Sequence, residues 1–162
     1  MTTSSNQVFC AIRREWVAAW PEEIVRQELI QMMTQAWGYP LGCLVLEKGL
    51  QQIPHLRHLQ ISLPKRRTDL VVMAPFHSTQ YQYYPLLLVE CKAVKLTAKM
   101  FRQAIGYNLY LKAPFIALIN QNEAQLGCYH PTQQQFVFQS GFPSYHQLVE
   151  QHQKLANAID KP

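Results

Sequence analysis

At 162 residues and 48% hydrophobic composition, the chain has material for one well-filled core and no room for a second full domain. Its net charge of +5 favours a polyanion or an acidic surface as partner. The apolar runs fall far short of the ~20 residues a membrane helix needs, and the polar start has neither a basic region nor a signal core, so a cytoplasmic protein with no membrane partner is expected. Cys10, Cys43, Cys91 and Cys128 show no C-x-x-C spacing and read as reduced core thiols rather than a zinc site.

Residues 1–12 are expected to form a flexible arm, in which Val8 to Ile12 make a short strand or pack against the body, with Arg13 and Arg14 exposed after it. Trp16 and Trp20 are expected to anchor this arm. Pro21 suits a first helical turn, Glu22 and Glu23 suit the positive end of a helix dipole, and Gly38 supplies a stop, which predicts a helix over residues 21–37. Ile24, Val25, Leu29, Met32, Met33 and Ala36 recur near the helical period and form its packing face. Glu23, Arg26, Gln27 and Glu28 are left for solvated surface or for a site. Residues 41–48 read as the first strand of the sheet, and Glu47 near its end is either a further site acid or a charge that protects a sheet edge.

Residues 49–65 form a long loop with a short strand at 59–63. His55 and His58 are three apart and would need a helix and further ligands to hold a metal. Lys65, Arg66 and Arg67 stand directly before the next apolar run, where they either hold phosphates or form a solvated basic turn.

The most informative text follows. Leu86 to Val89 is an apolar run about the length of a buried strand, and it ends abruptly in Glu90-Cys91-Lys92. Side chains alternate along a strand, so Glu90 and Lys92 share one face while Cys91 turns to the other. Asp69 opens the preceding apolar run, and a hairpin between the two runs brings its carboxylate to the same end of the sheet. Paired carboxylates repel unless a cation lies between them, and hard oxygen ligands suit Mg²⁺ or Mn²⁺. Lys92 is then placed to orient or deprotonate a water. The loop at residues 76–84 carries Tyr81, Tyr83 and Tyr84, which either cover the core edge or stack on unpaired bases.

Thr97 is a suitable N-cap for a helix bearing Met100, Phe101, Ala104, Ile105, Leu109 and Leu111 and ending near Pro114. Gln103 and Tyr107 lie four apart on one of its faces. Residues 115–120 read as a buried strand reached by a right-handed crossover and hence parallel to its neighbour. Residues 125–129 and 135–139 read as a hairpin, and Ser144 with Gln147 forms a capping box for a last helix.

The order of Glu22-Glu23-Ile24-Val25-Arg26-Gln27, Gly38-Tyr39-Pro40, Glu47-Lys48, Arg67-Thr68-Asp69, Glu90-Cys91-Lys92 and Gln103 through Tyr107 resembles the N-terminal domain family of type I restriction enzyme R proteins, within the PD-(D/E)XK nuclease superfamily. Thr68-Asp69 stands where Pro-Asp is usual. The resemblance implies an α/β fold with a restriction-endonuclease-like core, a central mixed sheet flanked by helices, making up a single domain over residues 13–162. It implies a metal-dependent DNA endonuclease with Asp69, Glu90 and Lys92 as catalytic residues, Mg²⁺ or Mn²⁺ on Asp69, Glu90 and the Cys91 carbonyl, and 5′-phosphate products. Glu23, with Glu28 close behind, would be the first-helix acid that points at the metal; Gln103 and Tyr107 would position DNA. Lys65, Arg66 and Arg67 are the expected DNA-binding residues. The chain shows no phosphate-binding G-x-x-x-x-G-K-[ST] loop, so the helicase motor of R proteins is expected to be missing, with a homodimer or a separate motor subunit as the implied assembly. The alternative is a DNA-binding or assembly module of the same fold without turnover.

Overall fold

The apolar run in front of Glu90 lies inside the longest strand of the sheet. In the computed structural model, residues 6–53, 56, 61–75 and 83–159 are described. They form strands β1 (Gln7–Cys10) and β2 (Glu15–Ala18), helix α1 (Pro21–Gln35), strands β3 (Leu44–Leu46), β4 (Leu70–Pro75) and β5 (Tyr83–Cys91), helix α2 (Ala98–Leu111), strands β6 (Phe115–Ile119), β7 (Ala124–His130) and β8 (Gln135–Ser140), and helix α3 (Tyr145–Ile159). The last six strands make one mixed sheet in chain order, β3-β4-β5-β6-β7-β8. All neighbours are antiparallel except β5 and β6, which run parallel because α2 carries the chain back between them.

Three layers follow from the alternation of side chains along β5. Leu87, Val89 and Cys91 face one side and pack with Val25, Leu29, Ile30 and Met33 of α1 and Leu148 of α3. Leu88 faces the other side, with Val71 of β4 and with Tyr107 and Leu111 of α2. Both sheet faces are therefore covered at β5, which explains a strand with no alternating polar positions before Glu90. The expected α/β class, the mixed sheet with flanking helices, the parallel crossover and the closing hairpin are all present. The capping box of α3 also forms, with the Ser144 N–H donating to Gln147 Oε1 at 2.9 Å and the Gln147 N–H to Ser144 Oγ at 3.3 Å.

Several boundaries and faces differ from the sequence expectation. Helix α1 stops at Gln35, and Met32 is 46% exposed while Ile30 is buried, so the packing face is rotated toward Ile30. Strand β3 is shorter than residues 41–48, because Leu41–Cys43 form a 3-10 turn and Glu47 adopts φ +45°. Trp16 and Trp20 do not anchor the N-terminal segment: they are 58% and 73% exposed. The β1-β2 hairpin is held instead by Cys10, which is fully buried, and by Ile12, packed on the main core. The boundary drawn at residue 12 thus falls in the hairpin's turn. Leu109 on α2 points out at 71% exposure, and Asn108 takes the buried position beside it. Residues 61–63 carry no strand, and the readings on His55, His58 and Tyr81 fall outside the described residues. All four cysteines are free. Among the described residues no helix is long and apolar enough to cross a membrane.

Asn108 shows why a polar residue is buried at the end of α2. Its Nδ2 donates to the Ala113 carbonyl at 2.8 Å, and its Oδ1 accepts from the Ala113 N–H at 2.9 Å. This side chain replaces the helix hydrogen bonds that end when Lys112 turns left-handed at φ +58°. Asn108→Ala leaves both Ala113 groups buried and unpaired, at a cost of about 1–3 kcal/mol for each unsatisfied group. The expected result is a lowered midpoint in urea unfolding with an unchanged denaturant slope.

Candidate active site

Strands β4 and β5 pair with Leu70 opposite Val89, and the next step of that register sets Asp69 level with Glu90. Asp69 is past the strand end, so its carboxylate can turn back: Oδ2 accepts the Cys91 N–H at 2.8 Å. The Lys92 N–H donates to the Ile119 carbonyl at 2.8 Å, which extends the β5-β6 ladder and fixes where the Lys92 side chain starts. Lys92 Nζ donates to Glu90 Oε2 at 3.1 Å, with the two side chains only 17% and 14% exposed. Asp69, Glu90 and Lys92 are thus brought together at one end of the sheet by pairing alone.

Helix α1 adds a second group of charges to the same end. Glu23, Arg26 and Gln27 are all buried, and only Glu28 of the four polar candidates on this helix is exposed. Spacings of three and four residues put them on one face. Glu23 Oε2 accepts from Arg26 Nη1 at 2.9 Å, and Glu23 Oε1 accepts from Gln27 Nε2 at 2.8 Å. The Arg26 guanidinium also reaches beyond its helix. Its Nη1 donates to Glu47 Oε1 at 2.8 Å and its Nη2 to Asp69 Oδ1 at 3.3 Å. Glu47 in turn pairs with Arg13 from the turn of the β1-β2 hairpin. Glu47 therefore belongs to the cluster, and Glu23 joins it through Arg26.

The charges shift one another in a consistent way. Burial first, and then the charge of Asp69, raise the Glu90 pKa above the ordinary carboxylate range, outweighing Lys92 and Arg66, which pull it down. Burial disfavours the Lys92 ammonium, but Glu90 and Asp69 more than offset this and lift Lys92 above its ordinary value. Lys92 therefore stays protonated at neutral pH. Burial likewise opposes ionisation of Glu47, and Arg26 and Arg13 reverse it, so Glu47 is held below the usual carboxylate range. Burial and then Asp69 push the Cys91 thiol up, so its sulfur remains a neutral core group.

The basic segment is tied to the site from the other face. Lys65, Arg66 and Arg67 are exposed, and the Arg66 carbonyl accepts the Tyr107 hydroxyl at 2.7 Å. Burial and then the charge of Glu90 push Tyr107 up to about 12, so it is a hydroxyl donor throughout the physiological range. Thr68, fully buried, donates both its N–H and its hydroxyl to the Lys48 carbonyl, each at 3.1 Å, which fixes the chain just before Asp69. Gln103 lies one turn before Tyr107 and is exposed.

Asp69 and Glu90 are hard oxygen donors of the type that suits Mg²⁺ or Mn²⁺. A carboxylate has about four lone-pair sites, and Asp69 uses one on each oxygen for Cys91 and Arg26, so acceptor capacity remains. Among the described residues there is no grouping of three or more His, Cys, Asp or Glu side chains that could hold a metal ion. Of the two readings the sequence leaves open for Arg26 and Gln27, solvated surface or site, their burial and their bonds to Glu23 place them in the cluster.

Comparison with known families gives a match to the model for the type I restriction enzyme R protein N terminus (HSDR_N) over residues 21–143. No curated protein and no solved structure matches the chain.

The raised Glu90 pKa has a consequence for stability. A carboxylate that binds its proton more tightly in the folded state stabilises the fold at low pH, and that contribution is lost as pH rises through its folded pKa. In metal-free buffer near neutral pH, Glu90→Gln is therefore expected to melt a few degrees above the wild type, on the order of 2–4 °C per kcal/mol for a chain of this size. The gap should close as the pH falls into the ordinary carboxylate range, as measured by thermal melts across a pH series.

Proposed function

Because the chain belongs to the type I restriction enzyme R protein N-terminal family, we propose that it is a DNA endonuclease with a restriction-endonuclease-like core, dependent on Mg²⁺ or Mn²⁺. The observation that carries this reading is the meeting of Asp69, directly before β4, with Glu90 on the adjacent β5 and with Lys92 two residues further on. A surface ion pair at a strand end would be worth under about 1 kcal/mol and would need no second acid beside it. Here burial and Asp69 both disfavour the charged form of Glu90, a penalty that a bound divalent cation would relieve.

In this reading Asp69 and Glu90 hold the divalent ion, with the Cys91 carbonyl as a further ligand. The ion supplies Lewis-acid stabilisation of charge that develops on the scissile phosphate. Lys92 stays an ammonium in the described structure, which favours its orienting the attacking water or neutralising a phosphate oxygen over its acting as the base. Lys65, Arg66 and Arg67 hold the flanking phosphates, and Tyr107 steadies that segment through the Arg66 carbonyl. Gln103, on the same helix face and open to solvent, is available to DNA.

One observation favours a second reading. Arg26 already donates to Asp69, and the cluster is partly neutralised without any metal, as suits a DNA-binding module with no turnover. The two readings part in a single assay. Incubation with Mg²⁺ or Mn²⁺ should nick or cut DNA to give 5′-phosphate ends, and Asp69→Ala and Lys92→Ala should each abolish this while leaving circular dichroism and DNA affinity near wild type. Salt-sensitive DNA binding with no cleavage and no metal uptake would favour the module.

A further inference from the structure

The Arg26 guanidinium is only 6% exposed and is shared among three acids from three separate parts of the chain. Glu23 lies on its own helix, Glu47 follows the edge strand β3, and Asp69 precedes β4. Its Nε is buried with no hydrogen-bond partner among the described residues. A buried donor left unsatisfied is costly, and a residue kept only for stability would be expected to use it. Among the described residues, the side-chain hydrogen bonds of Arg26 all run instead from its two terminal nitrogens to carboxylates.

Those bonds have different anchors. Glu23 is braced from behind by Gln27 at 2.8 Å, and Glu47 is braced by Arg13 of the β1-β2 hairpin. Asp69 is the third acid, and its other oxygen is fixed by the Cys91 N–H. Two braced carboxylates thus fix the guanidinium, and the guanidinium and one backbone amide fix both oxygens of Asp69. The planar fork of arginine can serve three acceptors in this way, whereas a lysine ammonium would present a single point charge.

From this geometry we infer that Arg26 is a positioning residue, which sets the Asp69 carboxylate in its cation-binding orientation and, through Glu47 and Arg13, ties that orientation to the N-terminal hairpin. The inference rests on the proposed metal-dependent reading, and it assigns to Arg26 no contact with substrate. Partners that orient a metal ligand typically change metal affinity by about 10–100-fold when they are lost.

The test is Mn²⁺ binding to the metal-free full chain, followed by calorimetry and by Mn²⁺ spin resonance, with DNA cleavage kinetics alongside. Arg26→Lys keeps the charge and loses the fork; it should weaken Mn²⁺ binding by about tenfold and lower kcat with KM for DNA unchanged. Glu47→Gln, at a position one-third exposed, should shift both in the same direction by a smaller factor, and it decides the matter if Arg26→Lys does not fold. Gln31→Ala, on the exposed side of the same helix, should change neither. Folded variants with wild-type or tighter Mn²⁺ binding would overturn the inference and leave the nuclease reading intact. A wild-type protein that takes up no Mn²⁺ would overturn both.

Discussion

Carboxylates crowded into a half-buried space repel one another, and the end of this sheet gathers four of them: Glu23, Glu47, Asp69 and Glu90. Three cations answer them among the described ion pairs at this site, Arg13, Arg26 and Lys92. The distribution is uneven. Arg26 and Arg13 hold Glu47 well ionised, whereas Glu90 has a lysine beside it and is still pushed toward its protonated form. The repulsion left unrelieved therefore falls on Glu90, whose burial and whose neighbour Asp69 both disfavour its charged form.

The fold serves this arrangement by making the surroundings rigid. Strand β5 is buried from Pro85 to Val89, so Glu90 emerges from a stretch that has little freedom to shift. Its neighbours on the two sides hold it differently. Strand β4 presents Asp69 through antiparallel register, and β6 accepts the Lys92 amide through parallel register. Helix α1 delivers Arg26 from one face of the sheet, and α2 delivers Tyr107 to the Arg66 carbonyl from the other. The cationic segment before Asp69 is thus fastened at Thr68 and at Arg66, while Lys65, Arg66 and Arg67 are exposed.

Some of this was legible in the sequence because the information is local. Period-two alternation put Glu90 and Lys92 on one face, and the short separation of two apolar runs implied the hairpin that aligns Asp69 with them. Arg26 was not legible in the same way. A charged residue on an amphipathic helix reads as surface, and its burial depends on Glu47 and Asp69, which lie 21 and 43 positions away in sequence. Trp16 and Trp20 failed for the opposite reason: large aromatic rings suggest a core anchor, yet the hairpin is short and its one fully buried side chain is the small Cys10. The early end of β3 was hidden as well, since Glu47 leaves the strand through a left-handed backbone that no local signal demands of a glutamate.

The proposed cleavage requires a divalent ion held between Asp69 and Glu90. A crystal of the protein soaked in Mn²⁺ and recorded at an anomalous wavelength tests this directly. The expected result is one strong peak within about 2–2.3 Å of an oxygen from each carboxylate, with the Arg26 guanidinium still bound to Glu23 and Glu47. Contradiction would be a map with no peak there, or with the Arg26 guanidinium seated between Asp69 and Glu90 at saturating Mn²⁺.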